Sequence, residues 1–96
     1  MQFNESMTET VLFELPSKYY AEELLLNALS ERVSWLQIGE DASVVGVMLA
    51  PDELDLARLL RSVQDWLEHS GLLAIRFEVD ERTYVLEAPL PVLAYA

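Results

Sequence analysis

The chain has no cysteine among its 96 residues. That excludes a disulfide framework, a thiolate metal site and a cysteine nucleophile. It has one histidine, His69, so no pair of histidines can hold a metal, and no Glu-x-x-His pattern occurs. Its three glycines, Gly39, Gly46 and Gly71, are too few and too scattered for a phosphate-cradling loop. No serine sits in a G-x-S-x-G elbow. Basic residues are scarce as well: six Lys and Arg stand against 17 Asp and Glu, leaving a net charge of −11. A surface of that sign weighs against nucleic acid, which needs Lys and Arg to displace counterions, and against anionic membranes. No apolar run approaches the ~18 residues of a membrane helix. The first residues, Met1 to Ser6, lack the positive and apolar regions of a signal peptide. These absences predict a cytoplasmic chain with no catalytic residue, cofactor, metal, nucleic-acid partner or membrane partner.

Hydrophobic residues are abundant, at 52%. That is enough for one core and argues against disorder. The negative charge is spread evenly, with eight acids and two bases before Pro51 and nine and four from Pro51 on. An even spread reads as solubility rather than as a dedicated acidic tail.

The apolar residues repeat a phrase. Val11-Leu12-Phe13-Glu14-Leu15-Pro16 and Gly46-Val47-Met48-Leu49-Ala50-Pro51 are strand-like runs that stop at proline, and each precedes an amphipathic helix. After Pro16, Ser17 can cap a helix whose stripe is Tyr20, Ala21, Leu24, Leu25, Ala28 and Leu29. After Pro51, Asp52 is expected to cap a helix whose stripe is Leu56, Leu59, Leu60, Val63, Trp66 and Leu67, with Gly71 as its left-handed end. Each helix leads into another strand, Trp35 to Ile38 and Leu73 to Val79. Gly39 to Ala42 reads as a hairpin loop and Asp80-Glu81 as a two-residue turn into a fifth strand, Thr83 to Ala88. Pro89 and Pro91 then stop pairing.

The order β-α-β-β-α-β-β predicts an α+β protein of the ferredoxin-like split βαβ type, an antiparallel sheet with two helices on one face. Residues 1–9 are expected to form a flexible leader, 10–88 a single domain, and 89–96 an apolar tail that docks or lies at an interface. Alternation leaves the second sheet face uncovered. Leu12, Glu14, Val44, Gly46, Met48, Ala74, Arg76, Glu78, Thr83, Val85 and Glu87 are assigned to it.

Each polar group that resembles catalytic machinery has a simpler explanation. His69 falls in the last turn of a helix, where a cation suits the dipole. Asp52-Glu53 opens a helix, Glu40-Asp41 and Asp80-Glu81 are turns, and Glu22-Glu23 is a solvated helix face. Arg76, Glu78, Glu87 and Glu14 read as cross-strand ion pairs. The residues with least explanation are apolar: Leu12, Met48 and Val85 on the open face, Tyr19 and Leu26 off the helix stripe, and Leu93 and Tyr95 in the tail. They form the candidate interface. The expected function is a non-enzymatic protein-interaction module, a homodimer or a subunit of a larger assembly. The alternatives are a small-ligand-binding regulatory domain at a dimer interface and an acidic chaperone or adaptor.

Overall fold

The computed structural model describes residues 9–89, and most of the leader and nearly all of the tail lie outside it. The elements are β1 (Thr10–Leu15), α1 (Lys18–Asn27), β2 (Ser34–Ile38), β3 (Ser43–Met48), α2 (Asp55–Ser70), β4 (Ala74–Val79) and β5 (Arg82–Glu87). The molecule is α+β. Its sheet has five strands in the order β2-β3-β1-β4-β5, and every neighbouring pair is antiparallel. Each helix therefore crosses over one intervening strand: α1 carries the chain past β3, and α2 past β1. The fifth strand, beyond β4, makes this order differ from the four-strand order of the ferredoxin-like plan.

Period-two alternation decides what each strand buries. Val11, Phe13 and Leu15 point inward from β1, Val45 and Val47 from β3, and Ile75, Phe77 and Val79 from β4. Ala21 and Leu24 of α1 and Leu59, Val63, Trp66 and Leu67 of α2 close over them in one core. Phe13 and Phe77 are cross-strand partners with ring centroids 5.8 Å apart. Both helices thus cover the same sheet face.

The helix ends follow the sequence in part. Ser17 caps α1, its hydroxyl accepting from the Tyr20 N–H at 3.4 Å. Gly71 ends α2 in the left-handed region at φ 90°. Asp52 does not cap α2. Its carboxylate accepts from the Leu54 N–H at 2.9 Å in a local turn, and the helix starts only at Asp55. Short side-chain-to-backbone bonds of this kind compete with helix initiation. Leu73, expected to start a strand, precedes β4 and is exposed.

Candidate functional site

The sheet face opposite the helices is open among the described residues. Register builds it row by row. Trp35, Gly46, Leu12, Glu78 and Thr83 form one line across the five strands. Gln37, Val44, Glu14, Arg76 and Val85 form the next. Leu12 and Val44 are half-buried by their neighbours, while Trp35, Met48 and Val85 are exposed.

The Trp35 indole lies across Gly46, and a Cβ on Gly46 would run into its ring. Glycine is needed there for close approach. The indole Nε1–H donates to Gln37 Oε1 at 3.2 Å, which ties the ring to its own strand. At the other end of the band, Arg76 Nη1 stands 4.0 Å from Glu14 Oε1 with both groups exposed, a pair worth only a few tenths of a kcal/mol. A shallow depression of about 260 Å³ lies between Leu12, Val44, Glu14, Arg76, Glu78 and Thr83.

The expected interface residues divide between two surfaces. Leu12, Met48 and Val85 share the open face. Tyr19 and Leu26 lie on α1, on the helix side of the molecule, and are 64% and 75% exposed, so the core does not use them. Tyr19 meets Tyr20 edge-on, with centroids 5.2 Å apart. Leu93 and Tyr95 fall outside the described residues. Trp35 is not among the expected interface residues, yet it belongs to the open face. Its place was available: Gly39 and Ala42 close the hairpin, and counting back from them sets Trp35 opposite Gly46.

A second polar site went unread. Asp55 stands one turn before Leu59 on the α2 core stripe and is buried. Arg32, in the loop after α1, donates Nη1 to Asp55 Oδ2 at 2.9 Å and Nη2 to Oδ1 at 3.0 Å. The Ala50 N–H donates to Oδ2 at 2.8 Å. The guanidinium first, and the Ala50 amide second, hold the Asp55 carboxyl below the ordinary aspartate range despite its burial. Both carboxylate oxygens of Asp55 have partners, as buried polar atoms need, so the pair is a structural clamp between the loop after α1 and the start of α2.

His69 lies in the last turn of α2, its Nδ1 2.9 Å from the Asp65 carbonyl oxygen. It borders a cleft of about 420 Å³ between the helices, with Glu23, Asn27, Ser62 and Asp65. Among the described residues, no three His, Cys, Asp or Glu side chains group closely enough to hold a metal ion, and no helix is long and apolar enough to cross a membrane. Compared with known proteins, the chain matches no protein-family model, no curated protein and no solved structure.

Proposed function

We propose that the protein is a non-enzymatic interaction module of the cytoplasm, a homodimer or a subunit of a larger assembly, which binds protein through its open sheet face. The observation that carries this reading is the Trp35 indole packed on Gly46 on an uncovered sheet face, continued by Leu12 and Val44. Tryptophan is enriched among interface anchors, and a rigid indole needs little ordering on binding. The acids around the band suit a rim that keeps unbound molecules apart. We read the first four strands as the split βαβ plan, with β5 added at one edge.

Trp35 also provides the test. In a Trp66→Phe variant it is the only indole, so its emission reports the face directly. The expected result is a blue shift on self-association or on adding a partner purified from the protein's own cells, lost on Leu12→Glu. An emission that stays water-exposed in both cases would count against the reading.

A second reading, a regulatory domain for a small ligand, draws on the depression beside Arg76, where one cation faces Glu14 and Glu78. Native mass spectrometry of the protein from its own cells should then retain a small mass that Arg76→Ala loses. No retained mass would exclude it.

A further inference from the structure

The strand β5 is a sheet edge, and alternation fixes which of its backbone groups are free. Arg82 pairs with Val79 at the hairpin, and the Ala88 N–H donates to the Leu73 carbonyl at 2.8 Å. Backbone groups of Arg82, Tyr84, Leu86 and Ala88 therefore face β4, and those of Thr83, Val85 and Glu87 face outward. Only one outward group has a side-chain partner among the described residues: Gln64 Nε2 donates to the Glu87 carbonyl at 2.8 Å. Among the described residues the edge carries no lysine and no proline, is six residues long, and has its two charges, Arg82 and Glu87, at its ends. Five of its six residues are exposed.

We infer that β5 pairs antiparallel with β5 of a second copy, about a two-fold axis through Val85, making one ten-stranded sheet. This rests on the interaction-module reading and names a second copy as the partner at this edge.

Self-complementarity is what selects the second copy. A two-fold axis perpendicular to the sheet keeps each face on its own side. Only residues of the same face can then stand opposite each other. Centred on Val85, that rule sets Val85 against Val85, Thr83 against Glu87 and Tyr84 against Leu86. It also uses all the outward groups of Thr83, Val85 and Glu87. The Glu87 carbonyl can accept a second bond beside Gln64 because it has two lone pairs. No like charges stand directly opposite, and β5 is neutral, its one Arg82 balancing its one Glu87, in a chain of net charge −11. Two acidic copies repel least along such a line. Tyr84, which stacks on Phe77 with centroids 5.4 Å apart, is still 43% exposed, and Leu86 of the second copy would cover it. The opposite edge, β2, is shorter, and its central Leu36 is already packed against the core.

Amide hydrogen exchange read by NMR across a concentration series tests the pairing, alongside sedimentation. The amides of Tyr84 and Leu86 should be protected at every concentration. Those of Thr83, Val85 and Glu87 should gain about tenfold or more protection only as dimer forms. Val85→Pro should abolish the dimer and keep the fold, because the lost N–H faces away from β4. Val85→Ala, which keeps that N–H, should still dimerise. A dimer whose Val85 amide stays unprotected would overturn the edge pairing. A chain that stays monomeric at hundreds of micromolar would overturn it too. Either result leaves the open-face reading to its own test, since Leu12→Glu alters the face and not the edge.

Discussion

Asp55 shows how one residue can be hidden by its own plausibility. Acids suit the first turn of a helix, so a carboxylate there invites no further question. The departure lies in its phase: it occupies the place one turn before Leu59 and Val63, where the stripe should be apolar. Removing the carboxylate in Asp55→Ala would leave Arg32 and the Ala50 N–H without their acceptor. Chemical denaturation should show a loss on the order of 2–4 kcal/mol. The pH dependence has a definite sign. Because the folded carboxyl titrates lower than the unfolded one, its stabilisation is complete above the ordinary aspartate range and disappears as pH falls through that range and on to the folded value. Melting curves of the protein and of Asp55→Asn should therefore differ at neutral pH and converge in acid. Gly46 is the other residue with a single clear demand. Gly46→Ala should displace the Trp35 ring or cost about 1–3 kcal/mol, and near-ultraviolet dichroism would register the change.

The elements were legible where two independent signals coincided. Apolar periodicity and a polar end marked α1 at Ser17 and α2 at Gly71, and both ends stand as read. The start of α2 was not legible, because Asp52 can bond its own neighbour's N–H as readily as it can cap a helix. The turn between β4 and β5 was placed correctly without a glycine. Asp80 and Glu81 both adopt positive φ, at 56° and 63°. That conformation costs a residue with a Cβ roughly 1–2 kcal/mol. Glu81→Gly should therefore raise stability by about 1 kcal/mol, measurable as a higher denaturation midpoint with unchanged slope.

At the scale of the whole molecule, burial made the inner sheet face readable, because Val11, Phe13, Ile75 and Phe77 repeat with the strand period. The outer face was readable only as a set of residues. Which of them touch depends on register, and register depends on where each hairpin closes. The split between Leu12 with Met48 and Tyr19 with Leu26 follows from the two crossovers, which send helix and open sheet to opposite sides. The same crossovers impose an order in time. Of the described strands β1 is made first, and it lies at the centre of the sheet between β3 and β4. During synthesis its β4 side waits for the chain from Leu15 to Ala74, on the order of 3–12 s. Through that interval Val11, Phe13 and Leu15 belong to an unfinished sheet with a bare central edge. The finished fold closes β1 between two neighbours, and the nascent chain leaves its β4 side unpaired for those seconds.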